Sequence, residues 1–191
     1  MIRHSRILFA FLTLSALLLP THAVQAFDGG PKKLKLGKVE LKQNGSGYRK
    51  KGIITLYEGS LYLMENSTDA AAILEAEQPM AIRIQIKSGF VSQDNLMAAL
   101  IEGFETSTGN KSQAIAKEIT QFRNCFSDPI NKNDVFVLSY IPEAGVLVHK
   151  NGNQKGIIQG SAFKKALFGI WLAEPSVDNS LRSAMLGMER R

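Results

Sequence analysis

The chain has 191 residues and a mass of 21.0 kDa, with 23 lysines and arginines against 17 aspartates and glutamates, a formal net charge of +6. Hydrophobic residues make up 45% and charged residues 21%, which excludes a disordered or collagen-like chain and fits one globular domain. The single cysteine, Cys125, excludes a disulfide scaffold, and the three histidines (His4, His22 and His149) leave little material for metal or nucleophilic chemistry.

Residues 1–26 read as a secretory signal peptide. Arg3, His4 and Arg6 precede an apolar run from Ile7 to Leu19, Pro20 breaks it, and Val24 and Ala26 occupy the small-residue positions of a cut after Ala26. The run of 13 residues is too short for the about 20 that span a bilayer core. The expected exported product is one domain over 27–191, periplasmic or secreted, with 21 basic and 17 acidic side chains.

Lys32, Lys33, Lys35, Lys38, Lys42, Arg49, Lys50 and Lys51 face a single acid, Glu40, across residues 31–51. This stretch reads as an arm and edge strand guarded by lysine, and an anionic membrane surface is a candidate partner for it. Nucleic acid is not expected as a partner, because no reading helix or interleaved aromatics accompany the charge. Asn44-Gly45-Ser46-Gly47 predicts a turn between two extended stretches. Ile53–Tyr57 and Ser60–Met64 predict two short strands, and the strand directly after the glycines argues against a phosphate cradle.

Ser67-Thr68-Asp69 predicts the cap of a helix through Glu75. Met80–Lys87 alternates, with Ile82, Ile84 and Ile86 on one face and Arg83, Gln85 and Lys87 on the other, as a half-buried strand does. Ser92 opens a helix to about Ser107, with Leu96, Ala99, Leu100, Gly103 and Phe104 on its apolar face. Lys111–Phe126 predicts a second helix, and Asp134–Tyr140, Val146–Lys150 and Gln154–Ile158 a three-strand meander. Helices over Ser161–Leu172 and Asp178–Met185 close the chain. The order predicts an α+β fold, an antiparallel sheet covered by helices.

The chemistry is narrow. His149, the only histidine left after export, sits in a meander strand and reads as exposed; Cys125 reads as a packing residue. No metal site and no cofactor are expected, since four-ligand sites need more cysteines and histidines. Glu102 and Glu105, three apart on a helix, are a weak signal for acid–base hydrolysis. Arg49 and Tyr57 are more informative: a guanidinium fork and a phenol together make a receptor for one carboxylate or phenolate. Eight residues of straight strand span roughly 26 Å, so the two meet at one ligand only if the chain bulges or folds back near Gly52.

Asn44-Gly45-Ser46-Gly47-Tyr48-Arg49 followed by Tyr57-Glu58-Gly59-Ser60-Leu61-Tyr62-Leu63 resembles the opening of the chalcone isomerase family. The likeness continues through Asp69–Leu74, Val91-Ser92 with Leu96, Glu102-Gly103-Phe104, Gly156–Phe163, Ala166–Leu172 and Val177–Leu181, and covers nearly all of 39–187. It looks closest to an exported bacterial branch. It implies an open-faced β-sandwich: a curved antiparallel sheet, helices packed on it, and a ligand cleft between them.

In the plant enzymes of the family an arginine orients the chalcone, and a threonine, a tyrosine, an asparagine and a second threonine line the site. By that resemblance Arg49 matches the arginine and Tyr57 falls at the first threonine. The tyrosine falls near Val91 or Ser92, the asparagine near Ala99 and the second threonine near Ile170. These departures argue against flavanone formation, and no catalytic residue is assigned. Family members that resemble fatty-acid-binding proteins hold a carboxylate with the arginine and a tyrosine. Arg49, Tyr57 and Tyr62 are therefore the candidate ligand-binding residues, and Ser92, Ala99 and Ile170 the candidate cleft lining.

The leading expectation is a non-catalytic exported protein that binds a fatty acid or similar apolar carboxylate. An intramolecular lyase or isomerase, with Tyr57, Lys51 or Tyr62 as acid or base, is the alternative. A structural or interaction protein with a vestigial cleft, filled by Phe104, Phe122 and Trp171, is the third.

Overall fold

The computed structural model describes residues 30–188, so the expected signal peptide lies outside the described residues. Seven strands form one antiparallel sheet in which each strand pairs with its sequence neighbours: β1 (Lys33–Leu36), β2 (Val39–Lys51), β3 (Ile54–Leu63), β4 (Met80–Ile86), β5 (Val135–Ile141), β6 (Gly145–Lys150) and β7 (Asn153–Ile158). Helix α1 (Ala70–Glu75) connects β3 to β4. Helices α2 (Gln93–Ser107) and α3 (Ala116–Asn124) connect β4 to β5, and α4 (Ser161–Leu172) and α5 (Asn179–Met185) follow β7. The curled sheet with helices on one face is the expected open-faced, chalcone isomerase-like arrangement.

The local signals place most helix starts. Asp69, Ser92 and Asp178 each accept a backbone N–H three residues on, from Ala72, Asn95 and Leu181. The expected helix over Lys111–Phe126 is shorter than read: a 3-10 turn over Ser112–Ile115 precedes α3. Gly109 and Asn110, both at positive φ, end α2 just before it. Helix α4 is buried at nine of its twelve residues, as a helix apolar on nearly every side must be. It lies at the centre of the helical layer, against α2, α1 and β6.

The helix-facing side of the sheet carries Tyr57, Leu61, Ile82, Ile84, Ile86, Phe136, Leu138, Val146, Val148 and Ile158. Phe104, Phe122 and Phe163 pack on one another above it with ring centroids 5.6–5.8 Å apart, and all three are fully buried. The other face of β4 is more covered than its alternation suggests. Ala81 and Gln85 are buried and Arg83 is half-buried, in a patch with Tyr62 and Leu41 that the chain crosses at Pro31.

Two readings near the N-terminus are corrected. Asn44–Gly47 is not a turn; it lies inside β2, which continues through it. Only Asn44 breaks the register, as a bulge between Gln43 and Gly45, and its side-chain amide donates to the carbonyls of Ser67 and Met185. The glycines serve packing: a Cβ on Gly45 would lie 2.1 Å from the Ala184 carbonyl oxygen, and one on Gly47 2.7 Å from the Ala184 Cβ. They let α5 lie directly on the strand. Likewise Ile53–Tyr57 and Ser60–Met64 are not two strands but parts of one, β3.

Candidate functional site

The actual hairpin turn is Gly52–Ile53, a two-residue loop closed by the Lys51–Ile54 pair. Gly52 has φ 59°, the left-handed conformation that a type II′ turn places at its first central residue. Folding back here brings Arg49 directly opposite Tyr57 as cross-strand partners, with Leu56 forming a second bulge between them and the turn. The 26 Å of straight strand thus collapses to a neighbour contact on the helix-facing side of the sheet. Tyr62, an odd number of residues along β3 from Tyr57, points to the opposite face; its hydroxyl donates to the Pro31 carbonyl at 2.8 Å.

Both members of the pair are engaged. Arg49 Nη1 donates to Asp178 Oδ2 at 3.0 Å and to the Lys50 carbonyl at 3.1 Å. The Tyr57 hydroxyl accepts from Trp171 Nε1 at 3.0 Å. Burial pushes the Tyr57 phenol up to about 12; the Trp171 hydrogen bond and the nearby Arg49 charge pull the other way, and Asp178 adds to the rise. Tyr57 is therefore a protonated donor at neutral pH and not a base. Asp178 does two jobs, since its Oδ1 also caps α5 by accepting from Leu181 N at 2.9 Å. One carboxylate thereby ties α5 to the β2 arginine.

Strand β1 pairs only with Val39–Lys42, so further along β2 is the edge of the sheet among the described residues. Between this edge and α5 runs a groove of about 350 Å³ lined by Ser46, Gly47, Tyr48, Lys50, Asp178, Ser180 and Ala184. Arg49 is not part of the lining, but both groups that hold the guanidinium, Asp178 and Lys50, are. A second pocket, of about 220 Å³, lies at the other end of the sheet between α1 and the β3–β4 ends, remote from Arg49 and Tyr57.

The other candidates lie elsewhere. Ser92 is the exposed cap of α2, and Ala99 is exposed on the same helix. Ile170 is buried in the contact between α2 and α4, where a Cβ on Gly103 would come within 2.8 Å of its Cγ2. The neighbouring Trp171 is the α4 residue that reaches Tyr57. Cys125 is buried, and burial raises its thiol pKa. His149 is half-buried on β6. No group of three or more His, Cys, Asp or Glu is arranged to hold a metal among the described residues. Asp178 and Trp171, the two residues that engage the pair, read in the sequence only as the start of the last helix and as an aromatic that fills the cleft.

The family model for chalcone isomerase-like proteins matches residues 28–187. The chain belongs to the chalcone isomerase-like family. Among solved structures it is similar to a fatty-acid binding protein of Arabidopsis thaliana, with a TM-score of 0.64 and 17% identity over 82% of this chain and 90% of that one. At that identity the likeness is one of fold. A sequence search of curated proteins gives no match.

Proposed function

We propose that this member of the family is a non-catalytic, exported binding protein for a fatty acid or similar apolar carboxylate, anchored at Arg49. The observation that carries the reading is the Arg49–Asp178 pair: the guanidinium already holds a carboxylate at 3.0 Å, beside an open groove and opposite a protonated phenol. An incoming carboxylate would take the place of Asp178, and the Tyr57 hydroxyl has a proton to donate to it. A groove of about 350 Å³ is at the small end of ligand sites, which favours a short or bent chain. A longer one requires α5 to lift from Gly45 and Gly47. The fold shared with a fatty-acid binding protein supports this reading, and the high phenol pKa argues against Tyr57 as the base of the isomerase alternative.

The vestigial-cleft reading is favoured by a different observation, the filling of the space above the sheet by Phe104, Phe122, Phe163 and Trp171. Native mass spectrometry of residues 27–191 from the exported fraction separates the two. A co-purifying or added fatty acid retained by the protein and lost in Arg49→Ala supports binding. No adduct after incubation with fatty acids of several lengths leaves the filled cleft as the function-free remnant of the fold.

A further inference from the structure

The Gly52–Ile53 loop presents an unusual surface. Hairpin loops favour glycine, asparagine, aspartate and serine, yet Ile53 is 100% exposed at its tip. Ile54 follows it at 38% exposure. Phe90, 74% exposed, lies at the same end of the sheet, because the chain leaves β4 there and Lys87 N donates to the Leu56 carbonyl. Among the described residues, three large apolar side chains thus reach solvent at one end of the molecule, Ile53 wholly, Phe90 mostly and Ile54 in part.

Lysines surround them. Lys50 and Lys51 immediately precede the loop, and Lys132 lies in the turn before β5, at the same end; none of the three forms an ion pair among the described residues. The acids at this end are mostly neutralised: Asp178 by Arg49, Glu58 by Lys87, Asp134 by Lys150 and Asp128 by Lys155, with Asp94 at the start of α2 as the exposed exception. Edge protection accounts for the lysines but not for Ile53 and Phe90.

We infer that the Lys50–Ile54 hairpin and Phe90 dock this protein on an anionic lipid bilayer. Strand rise puts Lys50 and Lys51 within about 3–7 Å of the tip. Ile53 then enters the acyl boundary while the ammonium groups remain among the headgroup phosphates, the depth split that interfacial segments show. Charge complementarity selects anionic lipid as the occupant, since the free charge around the apolar tip is three lysines against the single acid Asp94. Docking in this pose also turns the Arg49 end of the β2–α5 groove toward the membrane. The inference does not depend on any ligand at Arg49.

The seven strands and five α-helices of the described residues lie between Lys33 and Met185, so the chain from residue 27 carries all of them and suits the test. Its co-sedimentation is measured with vesicles of phosphatidylcholine alone and of phosphatidylcholine mixed with phosphatidylglycerol. Binding is expected to the mixed vesicles and to weaken with salt. Ile53→Asp should reduce partitioning at least about tenfold. Lys50→Gln and Lys51→Gln should each reduce it about fivefold. Lys38→Gln, at the far end of the β1–β2 hairpin, should leave it unchanged. No binding by the unmodified chain, wild-type binding by Ile53→Asp, or an equal loss in Lys38→Gln overturns the inference. Ile53 is fully exposed, so its variants are expected to keep the far-UV circular dichroism of the parent. Ile53→Asp should also retain any fatty-acid adduct, so that loss of docking and loss of ligand binding are read separately.

Discussion

Replacing Asp178 by asparagine separates the two jobs its carboxylate does. Oδ1 caps α5 through Leu181 N at 2.9 Å, and Oδ2 holds Arg49 at 3.0 Å. Asparagine keeps one oxygen for the cap but presents an amide, a donor, to a guanidinium that can only donate. The side chains are 30% and 17% exposed, so solvent screens the pair and its loss is set at about 1–2 kcal/mol. Asp178→Ala loses the cap as well, which adds about 1 kcal/mol. Urea unfolding followed by the fluorescence of Trp171, the only tryptophan, reads both variants.

If Asp178 occupies the place of a ligand carboxylate, asparagine also removes an internal competitor. Relieving about 1 kcal/mol of competition raises fatty-acid affinity about fivefold. The expected outcome is thus a protein that is less stable and binds more tightly. Equal stability losses in the asparagine and alanine variants would show that the cap and the ion pair are not separable. Weaker binding by Asp178→Asn would refute the stand-in role outright.

Gly47→Ala should destabilise by about 1–3 kcal/mol, because its Cβ would meet the Ala184 Cβ at 2.7 Å and α5 must move; faster proteolysis after α4 would report that movement. Tyr57→Phe leaves the buried Trp171 indole without its acceptor, at a cost of about 1–3 kcal/mol in urea unfolding. The Tyr57 and Tyr140 phenols are both pushed up to about 12, Tyr57 mainly by burial and Tyr140 mainly by its hydrogen bond to Glu77. The folded state therefore holds protons that the unfolded chain releases near pH 10. Stability should be full below about pH 10 and fall as pH rises toward about 12, and Tyr57→Phe should lessen that fall. Lys164→Met removes the ammonium that donates to the Leu74 and Ala76 carbonyls at 2.7 Å each. A loss of about 1.5–3 kcal/mol and faster amide exchange in α1 are expected.

Signals that act within a few residues were legible. The cap within Ser67-Thr68-Asp69, the helix starts at Ser92 and Asp178 and the span Ser161–Leu172 follow from chain-local chemistry, as does the three-strand meander of β5, β6 and β7. Where a residue's role depends on a distant partner, local rules misled. Asn44–Gly47 has the composition of a turn, but its glycines answer to the α5 backbone some 140 residues on, and Asn44 bonds Met185 at a separation of 141. Ala99 fits the apolar stripe of α2 by spacing and is exposed.

The amino-acid sequence by itself determined the α+β order, the family likeness and the pairing of a guanidinium with a phenol as the notable chemistry. Only the tertiary structure decided that Arg49 and Tyr57 are cross-strand neighbours, because that depends on where the chain reverses. It also decided what holds them, since Asp178 and Trp171 lie 129 and 114 residues away from their partners. Propensity and periodicity are properties of a short window, whereas a receptor is built from elements that meet only when the hydrophobic core has closed.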